Sequence, residues 1–375
     1  MSFQLTEEQM TALETPCLVV DVEVAQRNIL TMQAQVDALR VALRPHIKTH
    51  KMPYFALKQL AAGAAGISCA KVSEAEIMAA AGIDDIFIAY PLVGDFRIKR
   101  VLSLKEKVKR LILAVDSLEG AKTLNEAAER AKTVLEVRIE IDTGVKRTGI
   151  PISQAVELAT QVTTMNNLQL SGIYTFKSLV YQGTATMDNE LAGQEEGALM
   201  AEVAEAIRAA GIPLNDISAG SSPTGLAVGR TGKVTEIRPG TYIFADVMLC
   251  KEKVADPEDI AVRYYASVVS TPSPELAVID GGTKTFPTDV AIKTAPAYYP
   301  GYAVVVGNDD LVLDRMYEEH GVLTSLSGDT GLKVGDKIAL LPIHVCTAVN
   351  LHNSVYLLED GQLRIQKVDA RGMLV

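Results

Sequence analysis

Residues 41–51 read V-A-L-R-P-H-I-K-T-H-K. Val41, Leu43, Pro45 and Ile47 form an apolar set, and Ala42, Arg44, His46 and Lys48 alternate with them. A period of two is that of a strand with one apolar face and one polar, cationic face. The run ends in Thr-His-Lys-Met-Pro, a defined stop, because the residue before proline is pushed out of helical geometry. Lys48 then projects from the end of the strand on the same face as Arg44 and His46. A lysine amine held inside a protein loses solvation and becomes a nucleophile near neutral pH, as Schiff-base chemistry requires. The same pattern also suits a basic strand end at the surface, and periodicity does not separate the two.

Outward from this stretch, strand-like and helix-like segments alternate. Residues 1–14 read as a short polar helix, 15–21 as a strand and 22–39 as a helix. After the opening strand, further strands are expected over 66–70, 85–90, 110–116, 136–142, 170–176, 216–219 and 234–238. Helices are expected between them over 54–63, 73–82, 97–107, 117–132, 152–164 and 188–210. Ser73 with Glu76 three residues on has the pattern of a capping box. Eight strands with short connections demand a parallel sheet closed as a (β/α)8 TIM-type barrel. The helix between the seventh and eighth strands is weak, so the count is open by one. An open doubly wound sheet is the alternative, but no G-x-G-x-x-G follows the first strand.

From Ile260 the helical spacing is lost. Short runs such as A-V-R-Y-Y-A-S-V-V-S and K-I-A-L-L-P are separated by Gly, Pro and Asp. That texture is an antiparallel β domain, with a hairpin at Glu359-Asp360-Gly361. The expected α/β architecture is thus a barrel over 15–250 followed by a β domain over 251–375, which residues 1–14 can join.

A chain of 375 residues suits two domains or a barrel with an addition. A hydrophobic fraction of 48% and a charged fraction of 22% are those of a soluble globular protein. A net charge of −10 without a basic block argues against nucleic acid or anionic membrane as partner. No window approaches the roughly 20 apolar residues of a spanning helix, and the N-terminus lacks a signal-peptide core. Cys17, Cys69, Cys250 and Cys346 are scattered and form no CxxC, which points to free thiols and a reducing cytoplasm.

Two further stretches carry chemistry. The seventh strand ends in Ser218 and the turn Gly220-Ser221-Ser222-Pro223-Thr224-Gly225. A phosphate dianion wants several converging N–H and hydroxyl donors, which such a turn offers, although most turns of this composition are only turns. Its place after the seventh strand is where barrel phosphate sites often lie. Near the C-terminus, Pro342-Ile343-His344-Val345-Cys346 puts a His and a Cys two apart. In an extended segment both face one side and can share a metal, though a His and a Cys so spaced are usually unrelated.

R-P-H-I-K-T-H-K resembles the pyridoxal-lysine segment of the D-threonine aldolase and D-serine dehydratase family, a branch of the alanine-racemase-like (fold type III) enzymes. The resemblance covers nearly the whole chain and implies a barrel followed by a β domain. It implies that Lys48, the first lysine after Arg-Pro-His-x, carries pyridoxal phosphate, and strand parity supports Lys48 over Lys51. It implies phosphate contacts from Gly220, Ser221, Ser222 and Thr224, with Tyr242 a further candidate beside Ser218. Arg147 matches an arginine that approaches the cofactor's phenolic oxygen. His344 and Cys346 match a pair that holds a divalent metal, zinc or manganese; a thiolate favours the softer ion. Glu319-His320-Gly321 resembles a segment near that metal, outside the ligand set. Phe176-Lys177 departs from the family, several members of which carry a histidine and glycine there, so the substrate side of the site is altered.

The activity implied is a pyridoxal phosphate- and metal-dependent lyase for D-β-hydroxy amino acids. An aldolase giving glycine and an aldehyde comes first, and a dehydratase giving a 2-oxo acid and ammonia second. An amino-acid racemase and a non-catalytic pyridoxal-binding protein are the remaining readings. A small D-amino acid is the expected partner, with no nucleic acid and no membrane, and the resemblance implies a homodimer.

Overall fold

The computed structural model describes residues 3–375, which divide into two compact units. The chain begins with α1 (Glu7–Ala12), β1 (Cys17–Asp21) and α2 (Val22–Leu39). Strands and helices then alternate: β2 (Ala42–Leu43), α3 (Pro53–Ala61), β3 (Ile67–Cys69), α4 (Val72–Ala80), β4 (Asp85–Pro91), α5 (Asp95–Lys105) and β5 (Arg110–Val115). They continue as α6 (Leu118–Arg130), β6 (Leu135–Asp142), α7 (Ala155–Thr163), β7 (Leu168–Tyr174), α8 (Asn189–Ala209), β8 (Asp216–Ser218), α9 (Gly225–Arg230) and β9 (Glu236–Ile237). The strands β2 to β9 are parallel, in the order β2-β9-β8-β7-β6-β5-β4-β3. A parallel bridge between His46 and Ser68 joins the two ends of that order and closes the barrel.

The opening stretch is shorter as a strand than its alternation predicts. Only Ala42–Leu43 forms a ladder, and residues 47–50 turn. Pro45 has no N–H to give. The extended path nonetheless runs on, because Arg44 N–H donates to Ile237 O and His46 N–H to Pro239 O, both at 3.0 Å.

Its polar face looks into the barrel. Arg44 is 1% exposed and donates through Nε to Glu236 at 2.7 Å and through Nη1 to Asp85 at 2.6 Å. Arg138 is fully buried and reaches Glu236 at 2.6 Å and Asp216 at 2.7 Å. Arg110 pairs with Glu136 at 2.6 Å and with Asp216 at 3.0 Å. Burial alone would raise the pKa of Glu236, but the Arg138 and Arg44 guanidiniums outweigh it and hold the group well below the usual carboxylate range. Toward the C-terminal ends this charged layer gives way to Phe87, Ile112, Ala114 and Tyr174, with Ala89 packed on them.

Ser73 does not cap α4. It lies inside the helix, whose N-cap is Lys71, and the Glu74 carboxylate takes the Ala70 N–H at 2.7 Å instead. Glu76, the other half of the expected box, is paired with Arg100.

The second unit takes residues 3–29, Thr49–Lys51 and Thr241–Arg371. It holds α10 (Val247–Lys251), β10 (Val262–Ser273), β11 (Leu276–Ile279), β12 (Ala303–Val305), β13 (Leu311–Met316), β14 (Gly321–Ser325), β15 (Lys337–Pro342), α11 (Val345–Leu351), β16 (Ser354–Glu359) and β17 (Gln362–Lys367). Six antiparallel strands close a ring in the order β10-β11-β14-β13-β12-β15. β1 lies antiparallel to β10 and parallel to β16, so residues 17–21 pair in this sheet and not among the barrel strands. β16 and β17 form the expected hairpin, with Asp360 and Gly361 at φ 52° and 73°, the left-handed pair that a two-residue turn needs.

Candidate active site

In a barrel the C-terminal strand ends carry the chemistry. Lys48 sits half-buried in the turn beyond β2. Its ammonium lies 5.7 Å from the centroid of the Phe176 ring, and the Arg147 guanidinium lies 4.6 Å from the same centroid. The position where the family pattern is broken is therefore the one that meets the lysine. Arg147 rides on a loop shaped by Asp142, whose Oδ1 accepts the N–H groups of Gly144 at 2.8 Å and Lys146 at 3.1 Å. Lys177 has a different role: it is 1% exposed, forms an ion pair with Glu195 and donates to Val180 O at 2.5 Å. Tyr90, another strand-end residue, stacks under Lys71 Nζ at 3.7 Å.

The turn after β8 is built around close backbone approach. Gly220 has φ 87°, and a Cβ there would stand 2.8 Å from Gly225 Cα. Ser221 and Ser222 are 7% and 8% exposed. Ser222 Oγ accepts the Gly240 N–H at 3.0 Å, which ties the turn to the chain beyond β9. Gly220 N–H is already taken by Glu196 Oε1 at 2.9 Å, and Thr224 Oγ1 lies 2.9 Å from Glu196 Oε2. Ser218 is also committed: its hydroxyl donates to Glu236 at 2.6 Å and accepts from Arg238 Nη1 at 2.6 Å. Of the barrel residues expected at the site, Lys48 and Arg147 meet at Phe176; Gly220, Ser221, Ser222 and Thr224 form one turn; Ser218 belongs to the charged interior.

In the second unit, the segment around His344 is not extended as expected. Val345–Leu351 is helix α11, with His344 as its N-cap and Cys346 in its first turn. Val345, Ala348 and Val349 are the buried face, a helical i, i+3, i+4 spacing that outweighs the alternation of two residues. The two side chains still come within hydrogen-bonding reach of each other. Asp289 Oδ2 lies 2.6 Å from His344 Nδ1, and its Oδ1 accepts the Thr347 hydroxyl at 2.9 Å. Burial alone would lower the His344 pKa; Asp289 and Cys346 overcome it and push it up to about 11. Cys346 Sγ has the hydroxyls of Thr49 at 3.1 Å and Thr241 at 3.4 Å. Tyr242 is buried in a tight turn over Thr241–Ile243. Glu319 and His320 are exposed, and Glu319 pairs with Lys284 at 2.8 Å.

The donor chemistry fits both groups that the motifs imply. An amine beside an arginine and an aromatic ring, with a hydroxyl-rich turn pinched by glycine, suits pyridoxal phosphate. A thiol and an imidazole whose Nδ1 is occupied by a carboxylate leave Sγ and Nε2 for a divalent ion. Among the described residues no third His, Cys, Asp or Glu completes a metal-holding group, so such an ion would keep open positions. Glu196 and Asp289 escape sequence reading, because each meets its partner far along the chain and neither lies in a spaced motif; Thr49 and Thr241 lie in stretches the sequence singles out, but their approach to Cys346 does not show there.

The sequence matches the family model "Alanine racemase, N-terminal domain" over residues 20–247, and the model "Putative serine dehydratase domain" over residues 261–358. It is 32% identical over 354 residues to D-threo-3-hydroxyaspartate dehydratase of Delftia sp. (strain HT23), covering 91% of this chain and 93% of that protein. It is 29% identical over 369 residues to D-threonine aldolase of Arthrobacter sp, covering 97% and 94%. The solved structure of D-threo-3-hydroxyaspartate dehydratase from Delftia sp. HT23 matches with a TM-score of 0.89 at 31% identity, covering 97% of this chain and 99% of that one. The chain belongs to the pyridoxal phosphate-dependent family defined by the alanine racemase N-terminal domain.

Proposed function

We propose that this chain is a pyridoxal phosphate- and divalent metal-dependent lyase for D-configured β-hydroxy amino acids, cleaving Cα–Cβ to give glycine and an aldehyde. The observation that carries the reading is Lys48 at the barrel's C-terminal end, against Phe176 and Arg147, in a chain alike over nearly its full length to aldolases and dehydratases. When bound, pyridoxal phosphate supplies an electron sink for charge at the substrate's Cα, and a divalent ion supplies a Lewis acid for its β-hydroxyl.

The chain's own residues do the rest. The Lys48 amine holds the cofactor and carries a proton to or from Cα. Ser221 and Ser222 offer hydroxyl donors to its phosphate, and Arg147 offers a cation to its phenolic oxygen. Phe176 covers Lys48 with an apolar ring and brings no proton acceptor. His344 through Nε2 and Cys346 through Sγ hold the metal, zinc or manganese, while Asp289 keeps Nδ1 engaged. The dehydratase related to this chain has been solved in a metal-free form, which supports a metal in that protein. A homodimer in a reducing cytoplasm is also part of the proposal; none of the four cysteines is paired in a disulfide.

Elimination to a 2-oxo acid and ammonia is the second reading. It is favoured by the dehydratase likeness and by Phe176, which cannot accept the hydroxyl proton that a retro-aldol step must remove. D-Threonine separates the two. Incubation with pyridoxal phosphate and zinc or manganese is expected to yield glycine and acetaldehyde, and a chelator to stop it. 2-Oxobutanoate and ammonia would establish the dehydratase, and turnover indifferent to chelator would contradict both.

A further inference from the structure

Glu196, on α8, is fully buried against the turn at 220–225. Its helix comes close because Gly193 and Gly197 flank it: a Cβ on Gly193 would lie 2.5 Å from Ala227 Cβ, and one on Gly197 2.9 Å from the Thr231 side chain. Oε1 accepts the Gly220 N–H at 2.9 Å, and Oε2 lies 2.9 Å from Thr224 Oγ1. Thr224 Oγ1 also accepts the Ser221 N–H at 3.2 Å and lies 3.1 Å from Ser221 Oγ. A hydroxyl has one proton to give, and an ionised carboxylate can only accept. With Glu196 ionised, Thr224 must donate to it, and an anion in the turn receives nothing from that hydroxyl. With Glu196 protonated, the carboxyl donates to Thr224, whose own proton is free for the anion. Burial is the largest influence on Glu196 and leaves its pKa raised; the Gly220 N–H, the Thr224 hydroxyl, and then the charges of Arg238 and Lys177 act the other way and favour the ionised form. A buried negative charge behind the turn would also repel a phosphate dianion.

We propose that Glu196 is the positioning residue of the phosphate turn, acting as a neutral carboxylic acid that takes the Gly220 N–H and gives its proton to Thr224. The proposal rests on the reading of this turn as the cofactor's phosphate site. Its test is the affinity of the cofactor-free protein for pyridoxal phosphate, followed by absorbance at neutral pH, and for inorganic phosphate as competitor. Glutamine reproduces the neutral acid, with a carbonyl for Gly220 and an amide N–H for Thr224. E196Q is therefore expected to bind both probes within about threefold of the unaltered protein, while E196A and T224V bind both about tenfold or more weakly, the value of one lost hydrogen bond. E196Q as weak as E196A would mean that the charge matters, and would overturn the proposal; so would an E196A or T224V that binds normally. Should E196A fail to fold, E196Q and T224V still decide. An unaltered protein that binds neither probe would remove the cofactor reading itself, whereas normal binding by all three variants would remove only the role of Glu196.

Discussion

Asp289 decides which nitrogen of His344 the proposed metal would meet. Asp289 holds Nδ1 at 2.6 Å, which leaves Nε2 to turn toward Cys346, and the second Asp289 oxygen anchors to Thr347. Partners of this kind fix ring orientation and ligand basicity, and their loss typically lowers metal affinity about 10–100-fold. Asp289→Asn is expected to lose zinc by that factor in calorimetric titration, with the fold intact; unchanged affinity would show that Asp289 does not orient the imidazole. Single residues were legible in the sequence only where a contiguous motif held them. Lys48 lies in R-P-H-I-K, and the turn residues lie together. Asp289 is 55 residues from His344, and Glu196 is 24 from Gly220, so no spacing rule joins them. Phe176 stood out only as a departure, and its contact with Lys48 and Arg147 gives that departure a place.

At the scale of elements, one buried carboxylate starts two helices. Asp246 Oδ1 accepts the Leu249 N–H in α10 and Oδ2 the Val345 N–H in α11, both at 3.0 Å. Each such cap is worth about 1 kcal/mol, so Asp246→Ala should cost about 2 kcal/mol in urea unfolding and Asp246→Asn less. Equal losses for both variants would mean that the caps are not what Asp246 supplies. The helix it starts is also where reading by period went astray. Ile343-His344-Val345-Cys346 alternates for four residues as an extended segment would, yet Val345, Ala348 and Val349 pack as a helix face. Short apolar runs satisfy both periods, and the competing choice is made by tertiary burial. The barrel strands were legible because eight similar units repeat, and each missing ladder bond, as at Pro45, is local.

Across the whole molecule, the barrel interior is a buried ionic lattice. The alternation of L-E-V-R-I-E-I-D in β6 shows a charged face, but not that Glu236 and Asp216 wait on other strands to neutralise it. Removing one member leaves its partners buried and unpaired, so Glu236→Ala should destabilise by about 3–5 kcal/mol in chemical unfolding. A loss under 1 kcal/mol would contradict the lattice. In the second unit, burial pushes the His352 pKa down to about 4. The folded chain then holds a neutral imidazole while the unfolded chain takes up a proton near pH 6.5. Its contribution is complete above that pH and is lost as the pH falls from about 6.5 to about 4. His352→Gln should flatten the fall in unfolding free energy over this window, and an unaltered slope would place the acid sensitivity elsewhere.

The central claim is that Lys48 carries pyridoxal phosphate. Reduction of the loaded protein with borohydride, followed by peptide mass spectrometry, tests it most directly. The account predicts one pyridoxyl label, on Lys48. A label on Lys51 or on another lysine, or no label on a protein that has taken up the cofactor, would contradict it.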